Sequence, residues 1–443
     1  MKEKRFRYII DSLVVLLNFC GARANALLFK LLGLESQRLV TILVILIDMV
    51  YLTYRFRGLF SSHLYKAKYL TPSIFAISIL FLNSLNCLIE GKSLGTNFLF
   101  MVLIIMFALI LKVLVSDYRY VPYERGVQLL SRGYIWIALI SILGVFIAFT
   151  LIQVIGFSYV PFDADYLEKH NERADVFHYW CYSSVVMQSL ELRVPFFQEY
   201  GFLTGLYHEP HILAQNVFPA LILLLGFFHN KIVKCVLILT GILIFLFSGS
   251  VTALLTITAC LLLYFFLNVR INIWGTILGI AVIITGVVLF IQYSDGIFID
   301  FVISRMDDSG SMQYSQNALE FAFTPQTFFG SNIMAQSAYM DEMGGGIRTS
   351  DVGYIAFFLN IGFIISYTVN VIRLLFKKDT MANAVAFASL YYLLHSAKVG
   401  LAIYIQLMPV MLVFLQYMVL REYGRRKTVA TDLQNGTAIR VVQ

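Results

Sequence analysis

Charge is what this sequence has least of. Asp, Glu, Lys and Arg make up 13% of its 443 residues, against about 25% in an ordinary soluble domain. With 59% hydrophobic residues and a mean hydropathy of +0.78, this excludes a water-soluble globular fold. Cysteines number five, without spacing that suggests a zinc site or a disulfide framework. Cys20, Cys87, Cys235 and Cys260 fall in or beside apolar runs, and Cys181 lies in a long polar segment. A Cys87–Cys181 bridge is the one pairing this arrangement leaves open. No internal repeat is visible. No metal motif persuades: Asp163-Ala-Asp165 has the paired-aspartate form but sits in a generally acidic stretch. The net charge of +7 does not indicate nucleic-acid binding, because the basic residues are spread over short connections between apolar runs.

What is present is a succession of apolar segments near the length of about 20 residues that a bilayer requires. The chain reads as an all-α polytopic membrane protein with about twelve transmembrane helices. They run near 8–33, 39–54, 70–90, 96–115, 134–157, 211–229, 232–248, 250–267, 271–292, 351–375, 382–398 and 400–419. Placing both termini in the cytoplasm puts Arg57 and Lys66, Arg119 and Arg125, Lys231 and Lys234, Arg270, Arg373 and Lys378, and the basic tail from Arg421 to Lys427 all inside. Reversing the chain would put every one of them outside, against the positive-inside bias. The basic N-terminus and the apolar run Tyr8–Cys20 admit two readings. One is a cleavable signal with Ala22-Arg-Ala24 or Ala24-Asn-Ala26 as the small-residue site. The other is a first membrane helix continuing to about Leu34, which Asp11 and Asn18 favour by weakening a signal core.

Two large extracytoplasmic loops follow, 158–210 and 293–350, in a single membrane domain. Both are acidic, yet each carries isolated arginines: Arg173 and Arg193 in the first, Arg305 and Arg348 in the second. Loops this long are uncommon without a function of their own. In the first, Ala174–Leu192 reads as partly helical, and Pro195 disfavours helix at Val194. Gly201 and Gly205 permit close backbone approach, and Pro210 suits the first turn of the next helix. In the second, Tyr314–Phe323 is amphipathic, and Gly344-Gly-Gly346 forms a joint before Arg348.

Four segments resemble, in order, those of bacterial O-antigen and capsular polysaccharide polymerases and the related O-antigen ligases. Arg193-Val-Pro-Phe-Phe-Gln-Glu-Tyr-Gly-Phe-Leu-Thr-Gly-Leu-Tyr-His-Glu-Pro-His-Ile-Leu-Ala214 is similar to the arginine, glycine and "EP" block that precedes a span. Phe247-Ser-Gly-Ser-Val-Thr-Ala253 resembles a short serine-rich outer turn. Ser304-Arg305 to Gly330-Ser-Asn332 resembles the opening of the second large loop, and Asp351-Val-Gly-Tyr-Ile-Ala-Phe-Phe-Leu-Asn-Ile-Gly362 the span that closes it. The resemblance implies a glycosyltransferase at the outer face of the bacterial cytoplasmic (inner) membrane. Its substrates would be undecaprenyl-diphosphate-linked glycans, one transferred en bloc onto another, for O-antigen or capsule. Ligases carry a histidine-asparagine pair before the closing span; Ser350-Asp351 stands there instead.

Such a transfer needs a proton acceptor and cations for the leaving diphosphate. Arginine suits the diphosphate, since its planar fork binds two oxygens and stays charged. Arg193, Arg305 and Arg348 are the candidates, with Lys398 near the outer end of a late helix. The plainer reading pairs each arginine with a loop carboxylate, such as Asp307 or Asp308 for Arg305, and lets Lys398 snorkel to headgroups. The proton acceptor is sought among Glu209, His208, His211 and Asp351. The plainer readings are a helix N-terminal charge for Glu209, surface histidines for His208 and His211, and an N-cap for Asp351. Tyr207 and Trp180 read equally as sugar-stacking rings or interfacial aromatics. Asp48 and the cluster Asn83, Ser84 and Asn86 read as interhelical hydrogen-bonding groups.

No cofactor and no metal is expected. The expected partners are the lipid-linked glycans, membrane lipid and a chain-length regulator protein, with no nucleic acid. Two alternatives stay open: a ligase of the same architecture, and a twelve-span transporter or flippase of lipid-linked glycans with a cavity lined by Asp48, Asn83 and Lys112. Mid-membrane sites between repeats are usual for transporters.

Overall fold

The computed structural model describes residues 2–21, 37–56, 96–158, 160–161, 176–189, 201–207, 209–268, 361–377, 379–396 and 407–434. Ten α-helices and four strands lie among them. The helices are α1 (Lys2–Gly21), α2 (Gln37–Phe56), α3 (Thr96–Asp117), α4 (Tyr123–Thr150), α5 (Pro210–Phe227), α6 (Lys231–Ser248), α7 (Val251–Asn268), α8 (Ile361–Leu375), α9 (Thr380–His395) and α10 (Leu407–Gln434). The chain is thus mostly helical. By length and composition three helices are long and apolar enough to cross a membrane: Tyr123–Ile155, Pro210–Phe227 and Lys231–Ser248. The sequence-expected spans 70–90 and 271–292 lie outside the described residues.

Local chemistry sets several helix ends. Asn230 caps α6 by accepting from the Ile232 amide at 2.9 Å, and Asp379 caps α9 from the Met381 amide at 3.2 Å, as short polar side chains do at N-caps. Pro210 occupies the first turn of α5, where its missing N–H costs nothing. Gly249 ends α6 in the left-handed region, and the Ser250 hydroxyl accepts from the Ala253 amide as α7 begins. Helix α4 begins earlier than the sequence suggests. Residues 117–132 read as a connection because of Arg119, Arg125 and Arg132, but the helix already starts at Tyr123. The charges ride on it, with the Arg132 guanidinium over the Trp136 ring one turn on.

Helices α1, α3, α4, α5, α9 and α10 enclose one apolar core, in which Tyr134, Phe107, Tyr391 and Tyr392 are fully buried. At one end of the bundle three helices are clasped by charge. Arg55 of α2 donates to both Asp11 carboxylate oxygens of α1, at 2.9 and 3.0 Å, and meets Asp117 of α3 at 3.1 Å. Tyr51 and Tyr118 donate to the same Asp11, at 2.7 and 3.0 Å, and Arg7 donates to Asp117 at 2.7 Å. Deeper between α1 and α2, Asn18 donates to Asp48 at 2.9 Å, consistent with Asp48 as interhelical hydrogen-bonding glue; Asn83, Ser84 and Asn86 lie outside the described residues.

The first loop corrects the all-α expectation. It contains a four-stranded antiparallel sheet in sequential order: β1 (Val160–Pro161), β2 (Val176–Cys181), β3 (Ser184–Ser189) and β4 (Phe202–Gly205). Ala174–Leu192, read as partly helical, holds the β2–β3 hairpin instead, with Val176 opposite Ser189 and Cys181 opposite Ser184. The physical reason is composition. Val176-Phe-His-Tyr-Trp-Cys181 and the valines at 185 and 186 are the β-branched and aromatic residues that fit a pleated surface. Cys181 is a free, buried thiol, and its burial pushes the pKa up.

The expected close approach at Gly201 and Gly205 is present. Both adopt positive φ, 68° and 61°. A Cβ at Gly205 would stand 2.3 Å from the Ser141 hydroxyl oxygen. Gly205→Ala is therefore expected to destabilise the fold by at least about 1–2 kcal/mol from the left-handed backbone alone, with the clash added. Thermal unfolding of the detergent-solubilised variant checks this, and an unchanged midpoint would contradict it.

Candidate active site at the start of helix α5

The turn from β4 into α5 is stitched to its surroundings. The Gly205 amide donates to the Ser184 hydroxyl at 2.9 Å, and the Leu206 amide to the Ser141 hydroxyl of α4 at 3.3 Å. The Thr204 hydroxyl contacts the carbonyls of Val185 and Tyr207, and the Tyr207 amide donates back to Thr204 at 3.1 Å. These bonds fix where the next residues emerge.

Those residues are Glu209 and His211. Glu209 is the N-cap of α5, with extended backbone, and its side chain makes no capping bond. Its carboxylate pairs with His211 Nε2 at 2.7 Å; the two side chains are 38% and 35% exposed. The plain reading of Glu209 as a helix N-terminal charge therefore misses its imidazole partner. Two of the four sequence-expected proton acceptors meet in one contact.

Behind this pair lies a polar cluster that the sequence reading missed. His395, at the end of α9, is buried. Its Nε2 lies 3.1 Å from the His211 carbonyl, and its Nδ1 lies 3.3 Å from the Tyr391 hydroxyl. A carbonyl can only accept, so Nε2 carries the proton and a neutral ring offers Nδ1 to the tyrosine hydroxyl. The two rings stack at 5.4 Å between centroids. Gln215, one turn further into α5, donates to Ser396 at 3.1 Å, and Ser396 donates to the Tyr392 carbonyl at 2.7 Å. Pro219 withholds the amide that would normally bond the Gln215 carbonyl. The mark His395 leaves in the sequence is an ionisable side chain ending an apolar helix, and nothing local ties it to His211.

The remaining expected residues do not enter this geometry. His208, Asp351, Arg193, Arg305, Arg348 and Lys398 lie outside the described residues, as does Asp163-Ala-Asp165. Tyr207 and Trp180 are corrected as sugar-stacking candidates: both are buried, so neither presents a ring face to a sugar. Burial also pushes the Tyr207 phenol well above its usual pKa. Among the described residues no group of three or more His, Cys, Asp or Glu is placed to hold a metal ion.

Chemically, a half-exposed imidazole beside a carboxylate can accept a proton from an attacking hydroxyl. The carboxylate orients the ring and stabilises the imidazolium that forms. Comparison of the chain with family models, with curated proteins and with solved structures finds no match.

Proposed function

We propose that this protein is a polysaccharide polymerase of the bacterial cytoplasmic membrane. In this reading about twelve helices span the bilayer, both termini are cytoplasmic, and the two long loops face outward. It transfers the glycan of one undecaprenyl-diphosphate-linked repeat unit onto the sugar end of another. The observation that carries the reading is the Glu209–His211 pair, held half-exposed at the start of α5 by the sheet and by His395.

The reaction balances without an added reagent. The acceptor hydroxyl oxygen attacks the anomeric carbon, its proton passes to His211, and the bond from that carbon to the diphosphate oxygen breaks. Undecaprenyl diphosphate leaves. Arg193, Arg305, Arg348 and Lys398 supply cations for it, and a chain-length regulator is the further partner. The exposed apolar faces of α2, α4 and α6, including Leu46 and Val50, Leu143, and Ile232 and Leu239, are the surfaces lipid would cover. Asp48, buried and bonded to Asn18, supports this reading over a transporter cavity lined by Asp48.

Arg305 separates charge from shape. Arg305→Ala is expected to cripple chain extension more than Arg305→Lys, because lysine keeps the charge but loses the bidentate fork. Gel ladders of reconstituted product check this. Equal, near-wild-type ladders for both variants would remove Arg305 from the site.

A further inference from the structure

The sheet of the first loop does not sit on top of the helices. The Ser183 hydroxyl, at the tip of the β2–β3 hairpin, donates to the Gly144 carbonyl at 2.9 Å, and Leu206 reaches Ser141. Both contacts fall well inside α4, which runs on through a π-helical turn to Ile155. At about 1.5 Å per residue, some 15–20 Å of helix extends past the docking point. The sheet therefore lies alongside the outer part of α4.

An exposed apolar stripe at helical spacing approaches the docking point through Leu139 and Leu143 and runs on past it through Ile147 and Val154, while Val145, Ala148 and Ile152 are buried. The stripe continues onto the loop through Ile155, Phe157 and Val160. It ends at Tyr182, which is 62% exposed and meets Phe157 edge-on at 5.4 Å between centroids. Residues 133–162 and 176–189 contain no Asp, Glu, Lys or Arg. Tyr182 also has φ 51°, at the first position of a two-residue turn where glycine is the usual choice. The exposed ring suits a lipid headgroup boundary, where tyrosine's apolar body and polar tip are both satisfied. Strand edges are tolerated at the headgroup level because water still reaches their polar groups there, whereas the hydrocarbon interior would leave them unsatisfied.

We infer that the β2–β3 hairpin is seated in the outer lipid leaflet at the headgroup–acyl boundary, with Tyr182, Phe157 and Val160 as its anchor. The Glu209–His211 pair is then held at the lipid surface rather than in a free-standing domain. This suits a substrate whose phosphates stay at the headgroups, and it rests on α4 being a membrane span.

Photo-crosslinking in liposomes tests it. Benzoylphenylalanine is placed, one site at a time, at positions 143, 160, 182 and 425, and the adducts are identified by mass spectrometry. At position 182 the probe replaces one aromatic ring with another, so folding is little disturbed. Lipid adducts are expected at 143, 160 and 182 and not at 425, an exposed position in the basic tail end of α10. Lipid adducts at 143 but not at 160 or 182 would overturn the anchor alone. No lipid adduct at 143 would overturn α4 as a span and the membrane reading with it. Chain-to-chain adducts at 182 in place of lipid adducts would mean that a second copy covers the hairpin, and would also overturn the inference.

Discussion

His211→Ala is expected to slow chain extension by about 10²- to 10⁴-fold, the usual contribution of a positioned general base. The loss should fall on kcat, because the imidazole acts on a proton in flight and does not hold the ground-state glycan. Glu209→Gln keeps a hydrogen-bonding group beside Nε2 but removes the charge that stabilises the imidazolium, so it too should lower kcat. His395→Phe preserves a ring to stack on Tyr391 but loses the bond to the His211 carbonyl at 3.1 Å. It is expected to lie between wild type and His211→Ala, since it loosens the base without deleting it. Single-turnover extension with purified lipid-linked donor and acceptor checks all three. A His211→Ala rate within a few-fold of wild type would remove the imidazole from the reaction, and a pure KM effect would make it a binding group.

The second large effect is on stability. Arg55→Ala leaves Asp11 buried with its principal cation gone, and removes one of the two cations paired with Asp117. Breaking a buried pair by deleting one partner costs about 3–5 kcal/mol, because the remaining charge is stranded. The cost should fall when the partner goes too: in Arg55→Ala combined with Asp11→Asn, no charge is left at position 11. The pattern to look for in detergent unfolding is a single variant much less stable than the double. Two additive losses would show that Arg55 and Asp11 act separately.

Much of the helical frame was legible because lipid imposes a simple rule: a long uncharged run must bond its own backbone, and a helix does so. Residues 210–227 and 231–248 follow it closely. The ends were less legible. Arg119, Arg125 and Arg132 make residues 117–132 read as a connection, yet a helix can extend past a bilayer with its charges in water. The sheet was missed for a different reason. Its hairpin turns on Tyr182-Ser183, without the Asn-Gly or Asp-Gly pair that normally marks such a turn. Within the candidate site, Glu209 and His211 were visible because they sit together in sequence beside Pro210. His395 was not, since nothing local ties residue 395 to residue 211; only the packing of α9 on α5 does. The Asp11–Arg55 pair, 44 residues apart, was hidden in the same way.

Purified protein in liposomes, supplied only with undecaprenyl-diphosphate-linked repeat units, gives the most direct reading. The expected product is a ladder of longer glycans on undecaprenyl diphosphate, with release of one undecaprenyl diphosphate per bond formed, no added metal or nucleotide, and loss of the ladder in His211→Ala. Repeat units that stay unextended, whether or not they cross the membrane, would contradict the proposed polymerase activity.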